Sequence, residues 1–276
     1  MPDDTPSLPE RLLVLAGTFT RHDDALAGLS LNSATAGTLH AYIPAVQRLA
    51  HSTLNALDAV NCQFPRRSGA VRDAEVRLKQ IAFLTTAAAD HLTDAADIID
   101  ATRAETPDHD DPYHSYEHAL LDARSQLQTA RELTALAPED AAGIAESLAT
   151  ELHDQIRDTP WLASEKRTSL SPVQHAALRA TARGRVEVCE TDGMQYVSSR
   201  ELPLPLTTIQ SLESRNLLTR HDRPNTPGRQ RLHLTTAGRR ALAAASATTS
   251  QREPAALSTH AAAKPARPTP APARSR

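Results

Sequence analysis

Apolar residues recur in alternating steps of four and three through most of residues 9–156. Leu39, Ile43, Val46, Ala50, Thr53, Leu57 and Val60 make one such seam, and Leu78, Ile81, Thr85, Ala88, Leu92, Ala95 and Ile99 make a second. A third holds Leu120, Ala123, Leu127, Ala130, Thr134 and Ala137, and a fourth runs Ala141, Ile144 or Ala145, Leu148, Leu152 and Ile156. This is the period of a helix that packs along one side. A shorter apolar stretch lies around Leu12, Leu13, Leu15 and Leu26. The breaks are plain: Phe64 to Gly69 with Pro65 inside, then the turn-rich run from Thr106 to Pro112. Pro138, Glu139 and Asp140 form a helix start, with proline early and acids facing the amide end. Pro44 stands inside the first long seam, where it either kinks the helix or opens it. Alanine and threonine at alternate seam positions let helices approach closely. The expectation is an antiparallel bundle of four or five helices over residues 8–157.

The rhythm changes after residue 170. Ser171 and Pro172 cap a helix striped by Val173, Ala176, Ala177 and Leu178, and Gly184 ends it. Two β-prone runs, 185–191 and 194–198, flank Asp192-Gly193, a hairpin signal that pairs Val188 with Val197 and Cys189 with Tyr196. Residues 205–216 read as a helix with Leu206, Ile209 and Leu212 buried. Thr207, Thr208, Gln210, Ser211, Ser214 and Arg215 face out, and Asn216 is suited to the left-handed turn that ends it. A short strand at 217–220 and a basic, turn-rich loop to Arg229 follow. A return strand, 231–234, has Leu232 and Leu234 on one face. Thr235 or Thr236 caps a last helix, 237–245.

The stretch Leu-Glu-Ser-Arg-Asn-Leu-Leu at 212–218, the basic hairpin and Leu-Thr-Thr-Ala-Gly-Arg-Arg-Ala-Leu at 234–242 together resemble the second half of a winged-helix domain. They are similar to MarR-like bacterial transcription regulators, over about residues 170–245. The resemblance implies that helix 206–215 enters the DNA major groove and that 220–231 is the wing touching backbone or minor groove. One element departs from it. Where the family places a support helix before the recognition helix, this chain has the hairpin at 185–198 and the link Glu201-Leu202-Pro203-Leu204-Pro205.

Composition agrees with helices: 48 of 276 residues are alanine and aromatics are 3%. Charge is divided sharply. Residues 1–165 hold 12 basic and 26 acidic side chains, net −14, whereas 166–276 hold 18 and 7, net +11. Within the unit 166–245 there are 13 bases and 6 acids. A basic half suits a polyanion, and its exposed Thr, Gln, Ser and Arg can meet base edges and phosphates. Arg220, Arg223, Arg229 and Arg231 crowd one loop and its flanks, where they repel unless an anion meets them. The bland reading is that the two halves attract each other. Residues 246–276, proline-rich and net +4, are expected to be a disordered tail.

No Gly-rich phosphate loop and no Gly-x-Ser-x-Gly motif occurs. His109, Asp110, Asp111, His114 and His118 make the best metal-like cluster, but they straddle a loop and read as a polar helix start. Cys62 and Cys189 make no disulfide framework, and with an acidic start and no long apolar run they suggest a cytoplasmic chain. The expectation is thus mainly α: an acidic bundle, a basic α+β winged-helix-like domain and a tail. The chain reads as a non-enzymatic binder of double-stranded DNA, regulatory, without cofactor or metal, and dimerised through its bundle. The alternative is an interaction or assembly protein whose winged helix contacts protein.

Overall fold

In the computed structural model, residues 5–29, 31, 36–104, 112–157 and 170–249 are described. The fold is mainly helical with one small antiparallel sheet. Five helices form the bundle: α1 (Leu8–Ala27), α2 (Ala36–Gln63), α3 (Gly69–Ala104), α4 (Pro112–Thr134) and α5 (Ala137–Arg157). Pro44 lies inside α2 and does not open it. The seams point inward as their period requires: Leu78, Ile81, Thr85, Ala88, Leu92, Ala95 and Ile99 are all buried. Thr53, Thr85 and Thr134 sit there because each hydroxyl donates to the carbonyl four residues back, at 2.9, 2.6 and 3.3 Å, so none of these three hydroxyls is stranded. α1 starts on a reciprocal cap between Ser7 and Glu10.

The second unit runs α6 (Pro172–Ala182), β1 (Val186–Thr191), β2 (Met194–Ser199), α7 (Leu206–Ser214), β3 (Leu218–Asp222), β4 (Arg229–Leu234) and α8 (Thr236–Thr249). The sheet order is β2-β1-β4-β3. Val188 pairs with Val197 and Cys189 with Tyr196, as the Asp-Gly turn requires. Asp192 and Gly193 both have positive φ, 52° and 75°, the geometry of a two-residue hairpin that matches strand twist. Asn216 ends α7 at φ 55°. No helix stands between β2 and α7. Both strands of the second hairpin are longer than the sequence suggests. β3 reaches Asp222 and β4 begins at Arg229, leaving a tight connection of 223–228. α8 continues to Thr249 with Ser246 buried, so residues 246–249 belong to the fold, not to the tail. Residues 250–276 and the join at 158–169 lie outside the described residues.

The two units share one core. Leu12, Phe19, Leu78 and Leu148 of the bundle belong to the same buried cluster as Leu178, Val186, Ile209, Leu232 and Leu242. α8 packs on α5 and α1, and α6 also meets both. The far end of the bundle has its own, alanine-rich cluster around Leu39, Leu92 and Ala130. The two stretches of unlike charge are therefore welded by apolar contact as well as attraction.

Gly238 explains part of the 234–242 motif. Thr235 caps α8 by accepting from the Gly238 amide at 3.0 Å, while the Thr235 amide donates to the Leu217 carbonyl at 3.1 Å. That carbonyl lies 2.0 Å from where a Cβ on Gly238 would stand. Gly238→Ala should force α8 off the sheet and lower stability by about 2 kcal/mol or more in urea unfolding; an unchanged midpoint would show that the approach is not needed.

Candidate nucleic-acid interface

α7 packs on α6, β2 and β3 and turns its polar side outward. Ile209 and Leu212 are fully buried beneath it, with Leu206 partly so. Thr207, Gln210 and Ser214 form one exposed stripe with Arg215 at its end, whereas Thr208 and Ser211 are half-buried. Gln174, the capping residue of α6, ties this surface together. Its Nε2 donates to the Ser211 hydroxyl at 3.3 Å, and its Oε1 accepts from Arg215 at 3.2 Å. The Ser214 hydroxyl donates to the Ser211 carbonyl at 3.0 Å.

The four arginines of the second hairpin do not share one fate. Arg220 forks onto Glu213 of α7, at 2.5 and 2.9 Å, and also reaches Gln195. Arg231 forks onto Asp24 of α1, at 3.0 and 2.8 Å, and lies 2.9 Å from Glu187. Arg223 meets the same two carboxylates, Asp24 at 3.0 Å and Glu187 at 2.9 Å. Arg229 lies 3.6 Å from Glu187 and keeps half its side chain in solvent. The expected cluster of solvent-facing arginines is thus corrected for Arg223 and Arg231. The anions that relieve their repulsion are internal.

Strand geometry produces this arrangement. Glu187 stands opposite Arg231 and Cys189 opposite Arg229, so alternation puts Glu187, Arg229 and Arg231 on one face of the sheet. Val186, Val188 and Leu232 face the core from the other. The charged face lies against the end of α1, which supplies Asp24. The hairpin tip is docked there too. Asn225 donates to the Gly28 carbonyl, and Pro224 lies where a Cβ on Gly28 would meet it at 2.7 Å. Further pairs cross between the units in the same sense, acid from the bundle and base from the second unit: Glu139 with Arg185, Glu146 with Arg179 at 2.8 Å and Glu10 with Arg240 at 3.6 Å.

Beside this contact opens a cleft of about 600 Å³, lined by seven arginines and five carboxyls. Asp23 lines it half-buried, and burial pushes its carboxyl up to about 7. The adjoining Asp24 adds to the rise, while Thr134's hydroxyl, Arg131 and Arg231 oppose it. Nearby, burial lowers His22 to about 4, and burial with His221 beside it lowers His233 to about 4. Asp23, Asp24 and Glu187 were missed from sequence. Their one signal was acidic residues set within apolar runs, Leu12 to Leu26 and Val186 to Val188. Of the metal-like cluster, His109, Asp110 and Asp111 lie outside the described residues, and His118 is exposed on α4. Among the described residues no helix is long and apolar enough to cross a membrane.

The chain matches no protein-family model, no curated protein and no solved structure.

Arg231→Ala should lower stability by roughly 3 kcal/mol, because it leaves Asp24 and Glu187 desolvated with less countercharge. Arg229→Ala should change it by under about 0.5 kcal/mol. Paired urea melts check this, and equal losses would mean the network holds no more than a surface pair. A second expectation concerns pH. His22 and His233 bind fewer protons folded than unfolded, so they make stability rise between about pH 4 and their ordinary 6.5. Asp23 acts oppositely: its native proton stabilises the fold and is lost as pH climbs from 3.8 toward about 7. Asp23→Asn should therefore steepen the rise of stability with pH over that window, by at most about 1.4 kcal/mol per pH unit. Parallel pH profiles for the two proteins would refute it.

Proposed function

We propose that this chain is a DNA-binding protein, regulatory in kind, whose winged-helix-like unit presents α7 to the duplex while its wing is held closed by its own acidic bundle. The observation that carries the reading is the outward stripe Thr207, Gln210 and Ser214 with Arg215, a row of donors and acceptors two turns long on the side away from the bundle contacts. Arg229 at the base of the wing supports it as a phosphate contact. Arg220, Arg223 and Arg231 act differently: they fix the shape of the unit. A single module of this size covers little DNA, so a dimer through the bundle fits the reading. Val76 and Phe83, seven apart on α3 and 63% and 72% exposed, offer the apolar face for it.

A second reading, an interaction protein whose winged helix contacts protein, is favoured by the internal satisfaction of Arg223 and Arg231, which leaves less positive charge for phosphates.

The full chain is the material to test, because the shared core makes a fragment of the second unit an apolar wound. Binding to labelled random-sequence duplex is expected at low salt and should fall steeply as salt rises. Arg215→Ala and Arg229→Ala should each weaken it and flatten the salt slope by about one charge. No binding at low salt would reject DNA and leave the interaction reading standing.

A further inference from the structure

The cleft between the bundle and the sheet has more positive charge than its own carboxylates neutralise. Arg183 and Arg185 are met by Glu139, Glu146 and Glu201. Asp24 and Glu187 serve three arginines, Arg223, Arg229 and Arg231, and the Arg229 contact, at 3.6 Å, is the loose one. Two further arginines that line the cleft have no carboxylate within ion-pair distance. Arg131, from α4, reaches the Gln128 side chain at 3.3 Å and acts on the Asp23 carboxyl only through space. Arg200, just after β2, is exposed and makes no hydrogen bond or ion pair among the described residues. Glu132 and Asp23 are the cleft's remaining carboxyls: Glu132 accepts from the Gln128 amide at 2.7 Å, and Asp23 accepts from the Thr134 hydroxyl at 2.9 Å.

Three guanidinium groups with capacity to spare thus line one concavity from three separate elements: Arg131 from the bundle, Arg200 from the β2 end and Arg229 from the start of β4. Guanidinium forks suit planar oxyanions. A volume of about 600 Å³ holds a ligand of nucleotide or tricarboxylate size. Placed there, an anion with several charges would be bound from both units at once, and a singly charged one would not use the site fully. We propose that this cleft is a binding site for a small multiply charged anion, gripped by Arg131, Arg200 and Arg229. The site shares Arg229 with the DNA reading but does not rest on that reading.

The test is calorimetric titration of the full chain with inorganic pyrophosphate and, separately, citrate, at low and fixed ionic strength, with thermal melts alongside. Saturable one-to-one binding is expected for at least one probe, and it should raise the melting temperature beyond what matched sodium chloride does. Which probe binds tells phosphate from carboxylate chemistry. Arg131→Gln and Arg200→Gln should each weaken binding by about tenfold. Arg200 is exposed, so Arg200→Gln should melt like the parent without ligand and keeps the test open if Arg131→Gln folds poorly. Absence of saturable binding by both probes overturns the proposal. So does binding that Arg200→Gln and Arg229→Gln leave unchanged, since the anion would then sit elsewhere on the surface.

Discussion

Everything specific about this molecule turns on one carboxylate, Asp24, at the end of α1. It accepts a forked pair of hydrogen bonds from Arg231 and an ion pair from Arg223, and Glu187 closes the same two arginines from the sheet. Four charges are held largely out of water, two of each sign. Such a node adds little net stability over apolar packing, but it tolerates few alternatives: any other docking of the hairpin would leave buried charge unpaired. It therefore sets how the second unit sits on the first.

The apolar core does the complementary work. Burial of Phe19, Leu148, Leu178 and Leu242 in one cluster supplies the non-directional attraction, and the charge node supplies the register. Gly238 marks where the Leu217 backbone comes too close for a side chain, and Gly184 where the Thr20 side chain does. The basic hairpin thereby becomes a strut between sheet and bundle. α7 points elsewhere, holds Arg220 of β3 on its own Glu213, and leaves a polar stripe in solvent. Surface chemistry and structural chemistry are thus separated within a few residues of one another.

The same docking creates the cleft. Because carboxylates come from α1 and β1 at the node, Arg131 and Arg200, farther out, have none within ion-pair distance, and Arg229 keeps only a long contact with Glu187 at 3.6 Å. Asp23 shares the cleft with them, and its partial burial makes the local charge depend on pH near neutrality. Charge excess and concavity arise together, from one packing decision.

Much of this was legible in the chain itself. Seam periodicity is a local property, so the bundle, its breaks and the hairpin register at Val188 and Cys189 follow from neighbouring residues alone. The left-handed turn at Asn216 and the cap at Thr235 are equally local. The opposite charges of the two halves were also visible, and so was the possibility that they attract. The partners were not: Asp24 and Arg231 are 207 residues apart, and nothing near either names the other. Helix and strand periods declare which side of an element is apolar, because that depends on spacing. They do not declare which charged residue meets an arginine, because that depends on how finished elements dock. The sequence by itself determined the elements and the sign of each half. Tertiary packing alone decided that Arg223 and Arg231 of the second hairpin turn inward, that Arg229 stays half in solvent, and that a cationic cleft opens beside them, since burial of charge is selected only once distant carboxylates are in reach.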